Sequence, residues 1–437
     1  MSKKNEIAIH WFRRDLRLND NAALVHALTS GRRVQPVFIF DHNILSKLED
    51  SDDARVAFIH QQLGTLNQQL KRHHTAIAIY HDRPEIAWKK IIQDFEPAAV
   101  YYNHDYEPYA RERDQRINDF LTKEGLGVFT FKDQVIFEKN ELLKADGTPY
   151  TVYTPYKNKW YAQLDNQDYH ILSASDGSYH TYRQALPSLK SLGFEATSQA
   201  FPDKHYKGVM ESYSETRDIP SDEHGTSRMS LHLRFGTVSI RRLVQEALQA
   251  KEKTWLDELV WREFFMMILW HFPHTTHKAF KKAYDGIRWR NDEKEFETWC
   301  AGQTGYPLVD AGMRQLNETG FMHNRVRMVV ASFLCKHLLI DWRWGEAYFA
   351  RKLQDYEQSS NVGNWQWAAG SGTDAAPYFR VFNPELQQKK FDPNLEYIKR
   401  WVPEFDDPFK YPKPIVEHKK ARERALEVYK HALNDEL

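Results

Sequence analysis

Cysteine is nearly missing from this chain. Only Cys300 and Cys335 occur in 437 residues, too few for a disulfide framework, which excludes a small stapled secreted scaffold and suits a reducing, cytoplasmic compartment. Net charge is missing as well: sixty basic residues balance sixty acidic ones, so any contact with a polyanion has to come from a local basic patch. No run of apolar residues reaches membrane-spanning length; the stretch from Phe264 to Phe272 contains His271 and follows Arg262 and Glu263. The opening residues lead straight into Ile7-Ala8-Ile9 without a signal-type apolar segment. No internal repeat or low-complexity tract is evident. What remains is an ordinary globular composition, 41% apolar and 27% charged, with length for two or three domains.

The first 130 residues or so alternate short β-type runs, at Ile7–Phe12, Val34–Phe40, Ala76–Tyr80, Ala98–Tyr102 and Val128–Phe131, with amphipathic stretches near 21–28, 53–71, 85–95 and 109–123. This alternation predicts a doubly wound parallel α/β sheet. The first turn carries Arg13, Arg14 and Asp15 and has no G-x-G-x-x-G, which argues against a dinucleotide bound in the dehydrogenase manner. Periodicity weakens over 132–204, where turn signals such as Asp146-Gly147-Thr148-Pro149 predict a long connector. From about His205 onward the pattern is helical. The expected architecture is α/β plus all-α: an N-terminal α/β domain over 1–131, a linker over 132–204 and a helical domain over 205–437.

Chemistry-bearing residues concentrate in the helical part. Thr226, Ser227, Arg228 and Ser230 precede an apolar helical stretch; hydroxyls, free backbone N–H groups and a guanidinium suit a phosphate, and a plain Ser/Thr N-cap is the alternative. Glu258, Trp261 and Arg262 stand at i, i+3 and i+4 and share a helix face. A carboxylate, an indole and a guanidinium together suit a site that stacks a base and bonds its edge; a solvated ion pair beside a packed Trp is the other reading. Asn324, Arg327 and Met328 repeat the spacing. Trp365 and Trp367, two apart, point roughly 200° apart on a helix and can serve two different neighbours.

Six segments occur together in one order: Trp11-Phe12-Arg13-Arg14-Asp15-Leu16-Arg17; Thr226-Ser227-Arg228-Met229-Ser230; Glu258 to Phe264; Thr304 to Arg314; His323-Asn324-Arg325-Val326-Arg327-Met328; and Asn361 to Trp367, running on to Asn383-Pro384. In order and approximate spacing they resemble the photolyase/cryptochrome family, over nearly the whole chain. The resemblance implies the same α/β, linker and helical architecture and an FAD cofactor. It implies flavin contacts from Tyr213, Thr226, Ser227, Arg228, Met229, Ser230, Trp255, Glu258, Arg262, Asn324, Arg327, Asp355, Glu357 and Asn361, with Arg327 pairing with Asp355 beside the flavin ring. Glu258, Trp261, Asn324, Arg325, Met328 and Trp367 would line a pocket for a flipped pyrimidine dimer. Trp365, Trp342 and Trp289 match a tryptophan chain carrying electrons to the flavin; read without the family, scattered tryptophans are core.

Arg325 and Arg380, with Arg217, match positions that contact the DNA backbone, and a monomer acting on damaged DNA is expected. Asn361 matches the asparagine facing the flavin N5, where its amide helps hold reduced states. Glu357 replaces a commoner Asp and sets its carboxylate one methylene further out. Members that repair (6-4) photoproducts carry two histidines where this chain has Asn324 and Met328, and Met is no general acid, so the expected substrate is the cyclobutane pyrimidine dimer. The rival is a blue-light cryptochrome; Asn361 and a chain that stops soon after the Ile415–Leu433 helix favour repair. For an antenna chromophore, Glu107 resembles the acid that holds a folate, 5,10-methenyltetrahydrofolate, whereas Phe40 to Leu45 is similar to members using a deazaflavin or a second flavin such as FMN.

Overall fold

Short β-branched and aromatic runs bounded by turns pair side by side in the first part of the chain. In the computed structural model, which describes residues 6–174 and 177–434, strands β1 (Ile7–Phe12), β2 (Arg33–Asp41), β3 (Ala78–Asp82), β4 (Ala99–Asn103) and β5 (Gly127–Phe131) form one sheet in the order β3-β2-β1-β4-β5. All four pairings are parallel, with Ile7 opposite Arg33 and Ala8 opposite Ala99. The chain winds outward from β1 in both directions, so this is the doubly wound sheet expected, with both faces apolar. Helices Ala22–Leu28, Ala54–Leu70, Pro84–Phe95 and Pro108–Lys123 connect the strands. Side chains such as Phe12, Phe38 and Leu63 fill one core, and Trp11, Trp88 and Ile117 another.

The chain resolves into two compact units. The first comprises Met1–Glu141, Ala162–Phe201 and Met229–Gln249; the second comprises Leu142–Tyr161, Pro202–Arg228 and Ala250–Leu437. This partition differs from the expected one. The connector over 132–204 is shared between the units and contains a helix, Tyr153–Gln163, whose buried Tyr153, Tyr156 and Trp160 form an aromatic stripe. Residues 229–249 group with the sheet because Leu16 donates its backbone N–H to the Phe235 carbonyl at 3.0 Å and Arg241 bonds Asp20 at 2.9 Å. Gly236 sits in the left-handed region (φ +61°), and a Cβ there would lie 2.1 Å from the Arg14 carbonyl oxygen, so only glycine lets the two backbones approach.

The second unit contains no strand among its described residues. Its main elements are helices Thr254–His271, Pro307–Thr319, Asn324–Ser332, Trp342–Lys352, Gln358–Ala369 and His418–Asn434. Trp299, Phe333, Leu334, Trp342, Phe349 and Trp365 pack at their centre. Among the described residues no helix is long and apolar enough to cross a membrane.

Candidate active site

On the helix Gln358–Ala369, Trp365 is buried and Trp367 half-buried, and both border one cavity. That cavity, of about 90 Å³, is lined by Asn324, Arg327 and Met328 of one helix, Phe349 of another, Asp355 and Glu357 of a turn, and Asn361, Trp365 and Trp367. His323 starts the Asn324–Ser332 helix, its Nδ1 accepting the Arg325 backbone N–H at 3.2 Å. Burial lowers His323 to about 4, so the cap stays a neutral acceptor at ordinary pH. Arg327 bonds both oxygens of Asp355, at 3.0 and 3.3 Å, and Arg262 donates from Nε to Glu357 at 2.9 Å. The longer Glu side chain at 357 thus keeps a carboxylate in contact with Arg262.

Asn361 donates from Nδ2 to the backbone oxygen and to Oε1 of Glu346, at 3.1 and 2.9 Å. With its nitrogen so engaged, the amide keeps its oxygen for another partner. Burial raises the Glu346 carboxyl, with the bonds from Asn361 and Tyr356 partly offsetting it. No sequence motif pointed to Glu346; its link to Asn361 is a tertiary contact.

Glu258, Trp261 and Arg262 occupy one face of Thr254–His271 but meet three different partners. The Arg217 Nη1 lies 2.8 Å from Glu258 Oε1. Burial raises the Glu258 carboxyl, and Arg217 offsets this in part. Arg217, expected on the DNA backbone, is therefore engaged with this carboxylate and lies over the Tyr213 ring. Trp261 stacks on Tyr153, with centroids 3.5 Å apart and planes 8° apart. Arg325 binds Asp218 through Nε and Nη2, at 3.1 and 2.7 Å, and lies over Phe391. Arg380 is exposed on the loop that follows the Trp365 helix. Neither Tyr153 nor Asp218 was marked by the sequence.

The hydroxyl segment lies on a second, larger cavity of about 830 Å³, lined by Thr226, Ser227 and Arg228 with Lys204, Phe321 and Trp401 among others. This size falls in the range of small-molecule sites. Ser227 accepts from Trp255 Nε1 at 3.1 Å, and Trp255 stacks on Tyr206. Arg228 holds a left-handed backbone (φ +49°), lies 4.6 Å over the Phe321 ring, and has a buried Nε with no hydrogen-bond partner. An unpartnered buried guanidinium N–H beside two hydroxyls is what an anionic phosphate would satisfy, so the residues present fit the pyrophosphate of a flavin dinucleotide. The helix expected after this segment is only Ser230–Arg234; Met229 and Ser230 group with the first unit and do not line the cavity.

The three tryptophans Trp365, Trp342 and Trp289 run from buried to half-buried. Gly345 packs directly on Trp365, where a Cβ would lie 2.1 Å from the indole. In the first unit, Glu107 is engaged: Arg234 approaches its carboxylate at 2.7 Å and Arg14 at 3.2 Å.

A parallel α/β unit and a helical unit with an arginine-bearing, aromatic-walled pocket define a nucleotide-cofactor protein, and comparison with known proteins specifies which kind. The model for DNA photolyase matches residues 8–174, and that for the FAD binding domain of DNA photolyase matches residues 255–431. A deoxyribodipyrimidine photo-lyase of Alkalihalophilus pseudofirmus is 36% identical, with 98% of this chain and 99% of the relative covered. A bacterial class III photolyase from Agrobacterium tumefaciens superposes with a TM-score of 0.87 at 34% identity, covering 99% of this chain and 98% of that one. An archaeal photolyase from Sulfolobus tokodaii with two FAD molecules superposes at 0.84 with 33% identity, over 97% and 100% of the chains. The chain belongs to the DNA photolyase family.

Proposed function

We propose that this protein is a deoxyribodipyrimidine photo-lyase that binds cyclobutane pyrimidine dimers in DNA and splits them with light. The observation carrying this reading is the convergence of Asn324, Met328, Asn361 and Trp367 on one cavity, with the ion pairs Arg327–Asp355 and Arg262–Glu357 beside it. FAD bound here would supply the light-driven electron transfer that opens a cyclobutane dimer. The protein binds and orients. Thr226, Ser227 and Arg228 hold the pyrophosphate; Arg262, Arg327, Asp355, Glu357 and Asn361 surround the flavin ring; Tyr213 and Trp255 complete the site. Trp261 and Trp367 would stack the extruded bases, Asn324 and Met328 would line the same pocket, and Glu258 would bond the dimer edge.

Arg380, exposed, would neutralise a phosphate, and Arg325 could join it only by giving up Asp218. Met328 in place of a histidine leaves that position without a proton donor, which favours the cyclobutane dimer over the (6-4) lesion. Trp365, Trp342 and Trp289 serve as the electron relay to the flavin. For the antenna, a folate on Glu107 would have to share a carboxylate that Arg234 and Arg14 already approach; the second flavin named for the Sulfolobus relative is the alternative, and the absorption spectrum of the purified protein separates the two.

Blue-light repair of a duplex containing one cyclobutane dimer tests the reading. Dimer loss under light and none in the dark is expected; no loss from flavin-loaded protein overturns it. Replacing Trp261 or Trp367 by Ala removes a stack worth about 1–3 kcal/mol, so dark affinity for the lesion falls about tenfold or more. Trp365→Phe should keep flavin bound while photoreduction drops to a small fraction of the parental rate; an unchanged rate removes Trp365 from the relay.

A further inference from the structure

The helix Tyr153–Gln163 lies in sequence inside the stretch that reads as a connector, yet it clamps the helix carrying Glu258 and Trp261. Lys157 and Tyr161 bond the Asp257 carboxylate at 3.0 and 2.9 Å, and Tyr156 and Trp160 donate to Glu263 at 3.1 and 2.8 Å. Between these two anchors sits Tyr153. Its ring lies flat on the Trp261 indole, its hydroxyl donates to the Asp257 carbonyl at 2.8 Å, and Phe264 meets both rings edge-on. Tyr153 is buried while Trp261 stays half-buried, so part of the indole remains exposed. Phe265 also stacks on the indole, with centroids 5.5 Å and planes 27° apart.

An indole that is to receive a base by stacking must already be held in one rotamer; otherwise binding has to immobilise it and loses affinity. Tyr153 does this holding. It is bonded at its hydroxyl to the turn preceding Trp261, and its backbone N–H donates to Asp374 at 3.2 Å, so the ring is fixed from both ends. We propose that Tyr153 is a positioning residue for lesion recognition: it backs Trp261 and holds the exposed part of the indole ready for one base of the dimer. This rests on the reading of Trp261 as a wall of the lesion site.

The test is a double-mutant cycle on flavin-loaded protein, measuring dark affinity for a duplex with one cyclobutane dimer and for the undamaged duplex. Tyr153→Ala should weaken dimer binding about twofold to tenfold, the worth of an aromatic pair, and leave the undamaged duplex unaffected. Tyr153→Phe keeps the stack and should restore parental affinity. In a Trp261→Ala background Tyr153→Ala should cost nothing further, because there is no indole left to position. The Asp374 bond uses the Tyr153 backbone and persists in every variant, and flavin content reports correct folding. Additive losses in the cycle, equal losses on both duplexes, or a Phe variant as weak as Ala overturn the proposal alone. A parent that binds both duplexes equally overturns the lesion-wall reading and the proposal with it.

Discussion

Two arginine-rich clusters in this molecule differ in what their charges face. In the α/β unit, Arg17 bonds both oxygens of Asp133 at 2.7 Å, and Arg241 bridges Asp133 at 2.8 Å and Asp20 at 2.9 Å. Burial alone would raise Asp133, but the two guanidiniums hold its carboxyl below the ordinary carboxylate range. At the ends of β1 and β4, Arg13 pairs with Asp114 at 2.6 Å and Arg14 with Asp105 at 3.1 Å. Doubly wound sheets commonly take ligands at such strand ends, and here these charges neutralise one another. In the helical unit Arg228 makes no ion pair among the described residues; it meets an aromatic ring, two hydroxyls and a cavity. A charge answered inside the fold stabilises the fold, and one left facing a cavity is available to a ligand.

Breaking the closed cluster should have the largest effect. Asp133→Ala leaves two buried guanidiniums without their shared carboxylate, and removing one partner of such a network costs about 3–5 kcal/mol. Chemical denaturation should show that loss, while flavin content per folded molecule is retained. If stability changes by less than about 1 kcal/mol, as for an exposed pair, the network is not what fastens residues 229–249 to the sheet.

Breaking the open cluster should instead leave stability and remove binding. A charge-assisted hydrogen bond contributes about 1.5–3 kcal/mol, so Arg228→Ala should weaken FAD affinity about tenfold to a hundredfold. Equilibrium binding of FAD to deflavinated protein measures it. Unaltered affinity would move the pyrophosphate away from this segment.

The same contrast marks what was legible in the sequence. The strands were readable because apolar runs such as Val34–Phe40 lie between turn residues, and the observed β2 differs from that span by one residue at each end. That Trp365 and Trp367 would lie on one helix was readable too, but both border the same cavity. The placement of Arg217 did not, because its partner Glu258 is 41 positions away and nothing local distinguishes a phosphate-binding arginine from a carboxylate-paired one. The Tyr153–Gln163 helix was missed because Pro155 and intervening polar residues dilute its aromatic stripe. Glu346 and Asp218 carry no local signal: each acquires its place from one tertiary contact.

Glu258 sharpens the comparison from the open side. Burial raises its carboxyl and Arg217 only partly offsets this, so it takes up a proton at a higher pH than an ordinary glutamate. Repair per absorbed photon at saturating DNA should fall as the solution is acidified, and Glu258→Gln should show a low yield with that limb flattened. An acid limb unchanged in the variant would assign it to another group. Smaller still, Arg380→Ala should lower affinity for damaged and undamaged duplex alike and reduce the salt slope by about 0.9, one phosphate contact. A loss confined to damaged DNA would show that Arg380 reads the lesion instead.

A last test concerns a cation that belongs to neither cluster. Lys336 is buried where the helix after Ser332 widens. It donates to the carbonyls of Ala369 at 2.9 Å and Tyr378 at 3.3 Å, and lies 3.6 Å over the Tyr429 ring. Among the described residues it meets no carboxylate, and burial lowers it from 10.5 to about 7. Below pH 7 the folded and unfolded chains both carry the proton, and the cost of burying the ammonium is present in full. Between about 7 and 10.5 the unfolded lysine keeps a proton that the folded one has lost, so stability rises with pH. The neighbouring Cys335 and Tyr429 are pushed up by burial and stay neutral through this window. Lys336→Met removes the titration, so the stability of the parent relative to the variant should increase from pH 7 to 9.5, by at most about 1.4 kcal/mol per pH unit. A difference that stays flat with pH would mean that the carbonyls and the Tyr429 ring hold the ammonium charged, and that an aromatic face can answer a buried cation as completely as a carboxylate does.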